Sequence, residues 1–137
     1  MLFRSTRNNT RALRSAAFHQ VRESFSEVSL VMMQHPTIAG SLRRVLSDEP
    51  DVSEEDIFRY TYFLTTFVRR GESAYFQSSD GALQLESWLG IKETVINVLD
   101  NEHGRQWWQG NAKGRFTKDY TAAISEALAE RANASKV

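Results

Sequence analysis

Apolar residues return at steps of three and four along most of this chain, the spacing that draws one face of a helix. The longest such run lies between Ser53 and Gly81 and predicts one continuous helix around which the others are organised. Ser53 stands three residues before Asp56, close to a capping box, and Glu54, Glu55 and Asp56 put negative charge in the first turn, where the helix dipole favours it. Ile57, Tyr60, Leu64, Phe67, Gly71 and Tyr75 form the apolar stripe, and Phe58, Tyr62, Phe63 and Phe76 widen it. So broad an arc predicts a central helix enclosed by several neighbours. Asp80-Gly81 supplies a left-handed stop.

The first helix is expected over 10–34, with Leu13, Ala17, Val21, Ser24, Val28 and Val31 on one face and Phe18, Phe25 and Met32 beside it. Pro36 breaks it and, as an N1 residue, opens a short helix through Leu46 whose inward set is Ile38, Leu42, Val45 and Leu46. Residues 48–56 carry six acids and Pro50, which reads as a solvated turn. They lack the alternating ligands, central Gly and terminal Glu of a calcium loop. A further helix is expected over about 83–99, with Trp88, Ile91, Val95, Val98 and Leu99 inward. Gly90 costs it about 1 kcal/mol relative to Ala and is expected to admit a neighbouring helix or a Trp ring. Residues 100–104 close that element, a short helix carries Trp107 and Trp108, and 110–114 form a loop. Thr117 then caps a last helix with Tyr120, Ala123, Ile124, Ala127 and Leu128 inward. Residues 1–9 are expected to be disordered or artefactual and 131–137 a frayed tail. The fold class is all-α: an antiparallel helical bundle of about four main helices plus short connecting helices, one domain over 10–130.

A chain of 137 residues can bury about two thirds of its unfolded surface in one core. The absence of cysteine excludes disulfides, thiolate metal sites and a Cys nucleophile, and fits a reducing compartment. Zero net charge hides an asymmetry: Arg4, Arg7, Arg11, Arg14 and Arg22 precede the first acid, Glu23, leaving 12 basic against 17 acidic residues, a net of −5, in the remainder. A basic head of this kind suits an anionic membrane surface or a solvated helix end. Its arginines are not interleaved with stacking aromatics, so nucleic acid is not expected as a partner. No apolar run reaches the length of a transmembrane helix and no signal-peptide core is present, so the chain as given is expected to be soluble.

No Glu-x-x-His pair, phosphate loop, dinucleotide-binding loop or nucleophile elbow occurs, and the sequence calls for no catalytic residue, metal or cofactor. His19 and Glu23 lie four apart with no second half to complete a metal site, and His35 and His103 sit at helix ends. Glu72 follows Gly71 in mid-helix, where an inward carboxylate costs several kcal/mol unless paired. Its leading reading is a structural polar tie, ahead of an exposed ion pair and a functional acid. Trp88, Trp107, Trp108 and Phe116 read first as core, with an exposed aromatic patch as the alternative. Trp107 and Trp108 diverge on a helix, so both are not expected to be fully buried. The candidate binding set is Glu72, Arg69, Trp88, Trp107 and Trp108, and the candidate membrane-proximal set is Arg7, Arg11 and Arg14.

The order of RNNTRALR at 7–14, His35-Pro36, SEED at 53–56, Gly71-Glu72 with Tyr75-Phe76, Trp88, Gly104-Arg105 with Trp107-Trp108, and Phe116 resembles a widespread family of uncharacterised bacterial proteins over residues 7–128. The resemblance implies a helical cytoplasmic domain near a membrane, preceded in that family by one transmembrane helix, and implies no reaction. MLFRS at 1–5 matches the in-frame translation of a common sequencing-adapter end, so the expectation is a reading frame from environmental DNA whose anchor was lost. The expected function is a non-enzymatic helical interaction or scaffold domain beside a bacterial inner membrane, partnered by another protein or by anionic lipid. The alternative is a small ligand-binding or enzymatic domain with a pocket near Glu72 and the Trp residues.

Overall fold

The computed structural model describes the backbone of residues 2–136 and the side chains of residues 6–136. Met1, Val137 and the side chains of residues 2–5, that of Arg4 included, lie outside the described set. Among the described residues the chain forms six helices and no strand: α1 (Leu2–Gln34), α2 (Pro36–Leu46), α3 (Glu54–Ser79), α4 (Leu85–Leu99), α5 (Glu102–Asn111) and α6 (Lys118–Ala134). The all-α bundle expected from the spacing is the observed fold.

α3 starts and stops as its ends predict. Ser53 Oγ accepts the Asp56 N–H at 3.1 Å and Asp56 Oδ2 accepts the Ser53 N–H at 3.2 Å, a complete capping box. Gly81 ends the segment at φ 78°, in the left-handed region where a glycine carries no Cβ penalty. Tyr60, Leu64, Phe67, Val68, Gly71 and Ala74 are buried along it. Full burial of a large apolar side chain contributes roughly 1.5–3 kcal/mol, so this face is the largest single contribution to the core. α4 runs antiparallel to α3, Tyr60 meeting the Val98 end and Tyr75 the Trp88 end. α1 is antiparallel too, with Phe25 edge-on to Phe67 at 4.6 Å and Arg70 donating to the Ser24 carbonyl and hydroxyl.

Several expectations are corrected. α3 is not enclosed all round: Phe58 is 70 % and Tyr62 74 % exposed, and Phe76 is also in solvent, because α1 and α2 cover only the adjoining face. α1 reaches back to Leu2 instead of starting at Thr10, since residues 2–9 hold no Pro or Gly to break it, and Thr10 Oγ1 donates to the Thr6 carbonyl. Its buried residues are Val21 and Val28, with Leu13 and Val31 exposed. In α2, Ser41 is buried in the place expected of Leu46. The acidic turn is only partly solvated: Asp56 is buried, and Asp48, in the left-handed region at φ 53°, accepts the Glu102 N–H at 2.8 Å.

The C-terminal half departs from expectation in the same way. α5 begins at Glu102, capped by Asn101, whose Oδ1 accepts the Gly104 N–H at 2.8 Å, so residues 100–104 open a helix as well as closing one. The expected frayed tail is helical through Ala134 and is held by Arg131, which donates to Asn97 Oδ1 at 2.6 Å and to Glu93. Gly90 faces open space; the glycines that admit a neighbour are Gly71 and Gly104. A Cβ on Gly71 would lie 2.6 Å from Tyr120 Oη and 2.7 Å from Val95 Cγ2, and one on Gly104 would meet Tyr60 Oη and, at 2.5 Å, the Leu99 carbonyl oxygen.

These three glycines make a graded test by urea denaturation. Gly104→Ala, which confronts backbone, is expected to cost about 3 kcal/mol and Gly71→Ala about 2 kcal/mol. Gly90→Ala should instead stabilise by about 0.5–1 kcal/mol.

Candidate functional site

The structure gathers the five candidate binding residues around Phe116 and Tyr120, where the start of α6 lies on α3. Glu72 Oε2 accepts the Thr117 N–H at 2.8 Å and the Thr117 hydroxyl at 3.2 Å. Thr117 is the N-cap of α6 and makes no side-chain bond to its own helix, so the expected self-cap is replaced by a carboxylate from α3. A negative charge at a helix N-terminus is favourable by the dipole as well as by the hydrogen bonds. Three residues on, the Tyr120 hydroxyl donates to the Val68 carbonyl at 2.8 Å, in the space that Gly71 leaves. Burial pushes the Tyr120 phenol well above its ordinary range, and the Glu72 charge pushes it further the same way.

The aromatic residues pack on this joint. Trp88 meets Tyr75 at 5.2 Å and Tyr120 at 6.1 Å. Trp108 stacks on Phe116 at 5.8 Å and donates its indole N–H to Ser125 Oγ at 2.9 Å. Trp108 is buried and Trp107 half-buried, a divergence that follows from their adjacency on α5. Arg69 is exposed, its guanidinium 5.8 Å from the Phe116 ring centre, within cation–π range. Every member of the set is thus in contact with the chain itself. The surface hollows lie beside α1, and of the five candidates Arg69 alone lines one of them, with Gln20, Ser24 and Arg70.

The most perturbed carboxylate is one that sequence reasoning used only as a cap. Asp56 lies well below the usual carboxylate range, first because Arg44 grips it through Nε at 3.0 Å and Nη2 at 2.7 Å. Ser41 Oγ donates to it at 2.7 Å and the Ser53 N–H adds a third source, against the opposing effect of burial. Arg59 in turn donates to Ser41 Oγ at 3.1 Å. Perturbed groups often mark active sites, but all of these partners join α2 to α3. Tyr60 repeats the pattern at the far side: its hydroxyl donates to the Val98 carbonyl at 2.7 Å and accepts from Asn101 Nδ2 at 2.9 Å, and burial raises its pKa despite the Asn101 bond. Among the described residues no three metal-ligating side chains converge.

Arg7, Arg11 and Arg14 are all exposed. Arg7, Arg14, Val21 and Val28 recur every seven residues, as do Arg11, Phe18, Phe25 and Met32, so the arginines continue the face that α1 turns to the bundle. The switch from apolar to basic comes where α3 ends: Arg14 Nε donates to the Gly81 carbonyl at 3.1 Å. Beyond it the arginines line a hollow of about 830 Å³ with Thr6, Asn8, Thr10 and Gln84. This seven-residue register was present in the sequence and was obscured by reading Leu13 and Val31 as inward.

Comparison with known proteins finds no family model, curated protein or solved structure that matches the chain. Fold and site define an all-α domain whose perturbed ionisable groups are committed to joining helices.

Two measurements check this assignment. Glu72→Leu should destabilise by about 1 kcal/mol, the loss of a helix cap, and Glu72→Gln by less. Asp56 holds its proton less readily folded than unfolded, so its contribution is complete above about pH 4 and falls as the pH drops below that value. Urea denaturation across that range should show a decline that Asp56→Asn flattens while lowering stability at neutral pH.

Proposed function

We propose that this chain is a non-enzymatic helical interaction domain that works beside an anionic membrane surface, on the cytoplasmic side of a bacterial inner membrane. The observation that carries this reading is the continuation of α1's inward face, past the end of α3, as the exposed Arg7, Arg11 and Arg14 around a surface hollow. The rest of the chain carries a net of −5 outside the arginine-rich head, so an anionic surface attracts one end and repels the body, which orients the domain. Each arginine near such a surface is worth about 1 kcal/mol. No described helix is long and apolar enough to cross a membrane. The side chains of Arg7 and Arg11 make no hydrogen bond or ion pair among the described residues, leaving their charge available.

Vesicle flotation tests it. The chain should float with phosphatidylglycerol vesicles at low ionic strength, stay behind with phosphatidylcholine vesicles, and release at about 0.5 M salt, where screening is strong. Reversing Arg7 and Arg11 to Glu should weaken flotation at least about a hundredfold, as two reversed charges imply. Equal flotation with neutral lipid, or no effect of the reversal, contradicts the proposal.

A further inference from the structure

α1 and α4 both run antiparallel to α3 and so lie parallel to each other, with a groove between them that changes character along its length. At its outer end Arg7, Arg11 and Arg14 of α1 and Gln84, the N-cap of α4, line the basic hollow already described. One turn further along, the walls become Phe18, Val21 and Phe25 on the α1 side and Gly90 and Ile91 on the α4 side, around a second hollow of about 470 Å³. Arg11, Phe18 and Phe25 keep the seven-residue register, so one face of α1 sets a guanidinium and two rings in line along the groove. The apolar stretch from Phe18 to Phe25 is about 10 Å long at the rise of an α-helix.

Gly90 keeps this stretch open. A glycine in the middle of a helix weakens it relative to Ala, yet a Cβ at Gly90 would meet nothing within 4 Å, so no neighbour in the chain requires its absence. Its missing side chain leaves the hollow unfilled. Thr94 Oγ1 donates to the Gly90 carbonyl at 3.1 Å, which engages that hydroxyl within α4. At the outer end the donors are free: Arg7 and Arg11 have no side-chain partner, and Arg14 uses only Nε, on the Gly81 carbonyl. The two hollows are lined by four arginines, Arg22 included, against one acid, Glu86, a net of +3. An apolar slot that opens onto a cluster of guanidiniums is complementary to an alkyl chain with an anionic head. A partner helix fits it poorly: a segment about 10 Å across and 10 Å long displaces roughly 800 Å³, more than the hollow holds.

We propose that this groove binds one single-chain anionic amphiphile, its phosphate or carboxylate head on Arg11 and Arg14 and its alkyl chain along Phe18, Val21 and Phe25 past Gly90. The head takes the forked N–H groups of the guanidiniums, and the chain removes the apolar walls from water. The proposal rests on the same exposed arginines as the membrane reading and adds to it a discrete site for one molecule.

Isothermal titration calorimetry of the intact chain with decyl phosphate, at low ionic strength and below the micelle-forming concentration, tests this. Saturable binding of one molecule per chain is expected. Butyl phosphate should bind at least about a hundredfold more weakly, because its short chain leaves most of the slot wet. Decyltrimethylammonium, with the same chain and the opposite charge, should not bind. Gly90→Leu fills the slot and should weaken decyl phosphate at least about tenfold; Leu is the better helix former, and circular dichroism checks that the variant folds. Tyr62→Ser, at the other apolar hollow, between α1 and α3, should leave the affinity unchanged. Gly90→Leu should still float with phosphatidylglycerol vesicles, so a chain that floats without binding decyl phosphate overturns the amphiphile site and leaves the membrane reading standing. Equal binding of the two decyl compounds, or native affinity in Gly90→Leu, overturns the site as well.

Discussion

A buried phenol that donates to a main-chain carbonyl needs the opposing backbone to come close, and in this chain that approach depends on a glycine. Tyr60 on α3 bonds the Val98 carbonyl against Gly104 of α5, and Tyr120 on α6 bonds the Val68 carbonyl against Gly71 of α3. The two contacts use the same parts in opposite senses, one tyrosine leaving the central helix and one arriving at it. A neutral hydrogen bond contributes only about 1 kcal/mol. The larger consequence is geometric, since each bond fixes the register of one helix against another.

The other ties extend the same arrangement along α3. Asp56 at its start holds Arg44 and Ser41 of α2, Arg70 past its middle reaches Ser24 of α1, and Glu72 caps α6. Each partner helix thus meets the central one through a polar group with a specific direction as well as through apolar surface. Apolar burial supplies most of the driving force but is non-directional. The hydrogen-bonded ties select one packing among the many that would bury similar area. α1 depends on this least: its inward face is apolar only between Phe18 and Met32, and the arginines before that stretch extend beyond the end of α3.

Much of this architecture was legible in the residues. Ser53 with three following acids, His35-Pro36 and Asp80-Gly81 marked helix ends because caps are local, and the three- and four-residue spacing marked the buried face of α3 for the same reason. Glu72 stood out in the sequence as a mid-helix acid, but its partner, Thr117, lies 45 residues away and could not be named. The errors were non-local. Gly90 and Gly104 look equivalent in sequence, and the Tyr60 hydroxyl and the Leu99 carbonyl that crowd Gly104 separate them. Asp56 resembles its acidic neighbours until Arg44 and Ser41 approach it, and Phe58 and Tyr62 resemble the other aromatics of α3 until α1 and α2 prove to cover the adjoining face.

Native-state hydrogen exchange at low protein concentration, without lipid, tests most directly whether α3 is the element on which the rest depends. Amides between Tyr60 and Ala74 are expected to exchange only through global unfolding, with α4 and α6 close behind and residues 6–16 of α1 nearly unprotected. Exchange from the middle of α3 as fast as from the outer half of α1 would contradict the account.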